Sequence, residues 1–144
     1  MLLCSVIAAA AVFFAPQSAS AGANTSLDFE FFKTRVQPIF LARRPGHARC
    51  YVCHSAGAGG FRLQQLSKGA TSWNDEQSRL NFEAVRREVT PGDPDDSMLL
   101  RRPLAAEAGG TTFHSGGKHW DSKSNAEWQA LSEWVRGEKA AGAK

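Results

Sequence analysis

Apolar side chains in "SLDFEFFKTRVQPIFLARR" fall at Phe29, Phe32, Val36, Ile39 and Phe40, the spacing that gathers residues on one face of a helix. Pro38 lies inside this run. It has no N–H to give and its ring crowds the preceding turn, so it should kink the helix or begin its last turn. "RPGHA" then breaks the pattern. The stretch "SAGAGGFRLQQLSKGATS" is dense in glycine and serine and reads as a loop from which Phe61, Leu63 and Leu66 turn inward. The clearest amphipathic helix is "TSWNDEQSRLNFEAVRREV". Thr71, Ser72 or Asn74 can cap it; Asp75 and Glu76 in its first turn and Arg86 and Arg87 near its end suit the helix dipole. Trp73, Leu80, Val85 and Val89 form its expected buried side. "TPGDPDDSMLLRRPL" predicts a turn and then one or two helical turns from about Pro94, stopped by Pro103. A second glycine-rich loop follows, "AAEAGGTTFHSGGKHWDSKS". In the last helix, "NAEWQALSEWVRGEKAA", Asn125 is the cap and Trp128, Leu131, Trp134 and Val135 line one face. No repeat and no convincing strand is visible, so the pattern predicts a small all-α domain of four to five helices with two long loops.

The 144 residues suit one compact domain. The start, "MLLCSVIAAAAVFFAPQSASAGA", is an apolar run followed by small residues, with Ala19-Ser20-Ala21 as an A-x-A cleavage site. It reads as a secretory signal peptide over 1–21, leaving a domain of 22–144 in the periplasm or otherwise outside the cytoplasm. The run before Pro16 is too short to span a bilayer, so no transmembrane segment is expected after cleavage. Cleavage removes Cys4 and leaves Cys50 and Cys53. A disulfide between these two would close a tiny loop and contribute little to a fold, so another use for them is expected. The formal net charge of +3 is mild, with no Lys/Arg run and no interleaving of basic and aromatic residues, which argues against a nucleic-acid partner. Four tryptophans and nine phenylalanines suit a core built around something large and flat, although an ordinary aromatic core looks the same. No Ser-His-Asp set and no carboxylate pair suggests an active site.

Cys50 and Cys53 lie in "RCYVCHS", residues 49–55. C-x-x-C-H is the attachment signature for c-type haem. The two thiols add across the porphyrin vinyl groups, and one helical turn between them matches the separation of those vinyls. The adjacent imidazole then ligates the iron. On this reading Cys50 and Cys53 anchor the group and His54 is the proximal ligand. A zinc site needs four ligands, usually with a second, well-separated pair, and no other cysteines remain after cleavage. A thioredoxin-type redox pair needs a βαβ context that this helical chain lacks.

The segments "VQPIF", "CYVCH", "PGDPDDSMLL", "FHSGGKHW" and "EWQALSEWVRG", in this order, resemble a class I-like cytochrome c, particularly the single-haem domains common in planctomycete and acidobacterial proteins. The resemblance implies one covalent haem c with its iron, a cytochrome c fold with the first and last helices packed across each other, and a haem cleft with one exposed edge. Cytochromes of this type commonly use a loop methionine as the sixth ligand. Here His114 occupies that place, in "TTFHSGG", and is the first candidate. Met98 is the second and His119 the third; an open sixth position is the remaining alternative. Trp120 is placed to pack on the haem or bond a propionate, and His47 reads as loop surface. The expected function is electron transfer, not catalysis, through bis-histidine haem ligated by His54 and His114. The partners would be redox proteins or a membrane electron-transfer complex. The alternatives are a haem enzyme reactive toward gases or peroxide, and a fixed haem-relay subunit of a larger respiratory or photosynthetic assembly.

Overall fold

The Asp28 carboxylate accepts the Phe31 N–H at 2.7 Å and caps the first helix, α1, residues 29–41. The computed structural model describes residues 25–142; the signal-peptide reading of 1–21, with Cys4, lies outside them. Helix α1 is α-helical at Phe29–Phe31 and Gln37–Leu41, with a π-helical turn, Phe32–Val36, between. The break lies just before Pro38: that residue donates nothing to the ladder, and a widened turn on its N-terminal side relieves the crowding by its ring. Four further helices follow: α2 (Cys50–Ser55), α3 (Asp75–Val85), α4 (Met98–Arg101) and α5 (Ala126–Val135). Single 3₁₀ turns stand at Arg86–Glu88, Pro94–Asp96 and Ala106–Ala108. Among the described residues there is no strand, only three isolated bridges. The domain is all-α.

Helices α1 and α5 pack together through aromatic side chains. The rings of Phe32 and Trp134, both fully buried, lie 5.3 Å apart between centroids, and Phe82 of α3 meets both edge-on at 5.3 and 6.0 Å. Trp134 also donates Nε1–H to the Asp28 carbonyl at 3.0 Å, which ties the start of α1 to the end of α5. The buried faces of α5, Trp128, Leu131, Trp134 and Val135, are those its periodicity predicts.

Helix α3 differs from its expected orientation. Asn74 is its cap, in a reciprocal capping box with Gln77 at 2.8 and 3.2 Å. Val85 and Trp73 are buried, but Leu80 is 49% exposed, and Ser78 and Asn81 face the interior instead. The reason is the irregular backbone of the preceding loop, which needs partners when buried. Asn81 Oδ1 accepts the Gln64 N–H at 2.7 Å, and Trp73 Nε1–H donates to the Gln64 carbonyl at 2.7 Å. Satisfying that peptide outweighs burying one leucine.

Between α1 and α2, Arg44 joins three segments. Its guanidinium meets Glu127 of α5 at 2.6–2.7 Å and donates to the Ile39 carbonyl at 3.0 Å. The same Glu127 oxygen accepts Trp120 Nε1–H at 2.9 Å. This network braces the chain immediately before α2.

Candidate functional site

Helix α2 is short because its C-terminal signal is strong. Gly57, at φ +90°, ends it. The Gly57 N–H donates to His54 O at 3.4 Å and the Ala58 N–H to Cys53 O at 3.1 Å, the two bonds of a Schellman motif. The chain then folds back: Leu63 N–H also reaches His54 O, at 3.2 Å. This return brings the Phe61 carbonyl to 3.0 Å from His54 Nδ1 and stacks the Phe61 ring on the imidazole at 4.0 Å and 13°. A carbonyl only accepts, so Nδ1 carries the hydrogen and the lone pair of the neutral ring lies on Nε2. Burial pulls the His54 pKa down, against the Phe61 hydrogen bond that raises it, and the neutral form is favoured. Gly59 abuts this ring; a β-carbon there would stand 2.7 Å from Cε1.

His114 is held by the same device. Its Nδ1–H donates to the Gly117 carbonyl at 2.6 Å, and the Gly117 N–H returns to His114 O at 2.9 Å. Nδ1 is again the donor, and Nε2 again keeps the lone pair. Gly116 abuts the ring, a β-carbon there falling 3.1 Å from Cε1.

His54 and His114 line one cleft of about 950 Å³, its mouth included, and Cys50 and Cys53 line it too. Its walls include Ile39, Phe40, Phe61, Leu99 and Trp120, with Arg49, Arg102 and Glu88 as the charged groups. Both cysteines are free and half-buried. Burial pushes the Cys50 thiol up, partly offset by Arg44, whose Nη1 lies 4.0 Å from its sulfur.

The two other candidate ligands, Met98 and His119, line the same cleft. His119 is unlike the first two histidines: its Nδ1 is buried and has no hydrogen-bond partner. Burial, then the charges of Arg44, His47 and His114, push its pKa down to about 4, so it is neutral near pH 7. His47 is exposed, as expected of loop surface, yet its ring centroid lies 5.0 Å from that of His119. Trp120 faces the cleft with its N–H already given to Glu127. Among the described residues no group of three or more His, Cys, Asp or Glu side chains is placed to share a metal ion, the set that a structural zinc site requires.

The carbonyls of Phe61 and Gly117, the glycines against the two rings and the loop lysine Lys118 were not among the expected site residues. Only the glycines beside each histidine left a signal, in "GAGG" and "HSGG". No protein-family model, no curated protein and no solved structure matches the chain.

Proposed function

We propose that this protein transfers electrons through one c-type haem held covalently in the cleft, outside the cytoplasm, and catalyses no reaction of its own. The observation that carries the proposal is the matched pair of histidines. His54 and His114 line one cavity, each with Nδ1 committed to a backbone carbonyl and Nε2 unengaged. Metal-bound histidines ordinarily donate the other ring N–H in this way, which fixes the tautomer and raises ligand basicity. His119 has no such bond, so His114 is preferred over it as sixth ligand. His114 is also preferred over Met98, whose helix α4 is anchored by the buried Leu99 and Leu100 beside it.

The other residues suit the same group. Cys50 and Cys53, one helical turn apart and free, supply the two thioether anchors. Arg49 and Arg102 suit the propionates. When bound, the haem supplies an iron that cycles between ferric and ferrous states. His54 and His114 would both hold the iron, which would leave no place for a substrate. Its apolar walls exclude water and hold the local dielectric down. The two backbone carbonyls strengthen both imidazoles as donors, and a second imidazole in place of a thioether sets a lower potential. Phe113, 77% exposed at the cleft mouth, belongs to the rim that a redox partner would meet in a transient interface. Among the described residues no helix is long and apolar enough to cross a membrane.

The test is intact-mass analysis and haem staining of protein exported through a haem-attachment system. One haem per chain should survive denaturation, and the Cys50→Ser/Cys53→Ser double variant should retain none. A denatured wild-type chain without haem overturns the proposal.

A further inference from the structure

The loop that carries His114 is closed at its neck: Ala105 N–H donates to Trp120 O at 2.8 Å and His119 N–H to Pro103 O at 2.7 Å. Inside it, Lys118 is the cross-brace. Its ammonium donates to the Arg102 carbonyl at 2.8 Å and to the Thr111 carbonyl, and reaches Thr111 Oγ1 at 3.4 Å. Thr111 Oγ1–H donates onward to the Phe113 carbonyl at 3.0 Å. An ammonium has three N–H donors, and all three are used, none on a carboxylate. A line of hydrogen bonds thus runs from the end of α4 through Lys118 and Thr111 to the residue just before His114. Apolar packing does not replace it, because Thr112, Phe113 and Ser115 are all exposed. The Thr111 N–H also donates to the Arg101 carbonyl at 3.0 Å, so this main-chain bond and the Lys118 bonds together hold the loop tip.

We infer that Lys118 is a positioning residue for the sixth haem ligand: it holds the His114 loop in its ligating conformation and limits how fast His114 leaves the iron. The inference rests on the bis-histidine haem reading. Burial draws the Lys118 pKa down, opposed by Glu107, as expected of an ammonium enclosed among carbonyls.

The experiment is stopped-flow carbon monoxide binding to the ferrous, haem-loaded protein, where the limiting rate at saturating gas reports departure of His114. The variants are Lys118→Met, which keeps the stem and removes the donors, Thr111→Val, which cuts only the hydroxyl link, and Lys123→Met as a control. Lys123 pairs with Asp95 on the surface at 2.8 Å. Lys118→Met should raise the limiting rate about tenfold or more, on the scale of a lost hydrogen bond from a charged group. Thr111→Val should raise it less, and Lys123→Met not at all. Limiting rates in Lys118→Met and Thr111→Val equal to wild type overturn the inference, even if the melting temperature falls. Should Lys118→Met fail to fold, an unchanged rate in Thr111→Val overturns it. If His114→Ala leaves the wild-type spectrum unchanged, the bis-histidine reading and the inference fall together. That result is distinct from a bis-histidine protein whose ligand departs at the same rate with or without Lys118.

Discussion

Gly59→Ala isolates the fit between backbone and the His54 imidazole. Two costs are expected. Gly59 adopts φ +93°, a conformation that costs an L-residue about 1–2 kcal/mol. The added methyl also stands 2.7 Å from His54 Cε1, whereas ordinary contact begins at 3.4 Å, so the ring must yield by about 0.7 Å. The His54–Phe61 hydrogen bond is 3.0 Å long, and a shift of that size stretches it beyond useful length, losing roughly 1 kcal/mol. Gly69→Ala is the matched control: its φ is +81°, but nothing lies within 4 Å of the new methyl, so only the backbone cost remains. Urea unfolding of the haem-loaded proteins should place Gly59→Ala about 1 kcal/mol or more below Gly69→Ala. Ferric spectra should show a weakened proximal ligand field in Gly59→Ala alone. Equal stability and identical spectra in the two variants would refute the reasoning that Gly59 is a seat for His54.

Three further outcomes follow from the packing. Arg44→Ala strands the partly buried Glu127 and releases the Ile39 carbonyl, so it should cost about 2–3 kcal/mol in denaturant unfolding, below the full range for a buried pair because Glu127 retains some solvent; a loss under about 0.5 kcal/mol contradicts the network. Asn81→Ala leaves the partly buried Gln64 N–H without its acceptor and should cost about 1–2 kcal/mol while accelerating hydrogen exchange at that amide; unchanged exchange contradicts the assignment. His119, depressed to about 4 from an ordinary 6.5, is neutral in the fold while the unfolded chain takes up its proton first. Its stability contribution is therefore present above about pH 6.5 and lost as pH falls toward 4. After discounting for a half-solvated ring the loss is about 1–2 kcal/mol, and His119→Gln should flatten that slope in pH-dependent unfolding.

Local signals in the chain were legible where one residue type does one job. Asn74 and Asn125 cap the helices that follow them, because a short polar side chain before an apolar-periodic run has few other uses. Helix α5 was readable because five of its six buried positions are apolar, Ser132 being the exception. Helix α3 was not, since periodicity is blind to a buried asparagine whose partner is the Gln64 peptide of a distant loop. Pro38 marked a break in α1, but a π turn on its N-terminal side depends on packing that the proline alone does not specify. The site divides the same way. "CYVCH" carries its chemistry within five consecutive residues, and "FHSGG" within a single turn. The hydrogen bonds that orient both imidazoles come from main-chain carbonyls of Phe61 and Gly117, which every residue has. Lys118 looks like ordinary surface charge until the loop closes around it.

The measurement that bears most directly on the central claim is the absorption and electron paramagnetic resonance spectrum of the haem-loaded protein beside His114→Ala and Met98→Ala. A bis-histidine electron carrier should be low-spin without a methionine-to-iron charge-transfer band, and only His114→Ala should become high-spin. A high-spin wild type, or a methionine band that disappears in Met98→Ala, would contradict the account.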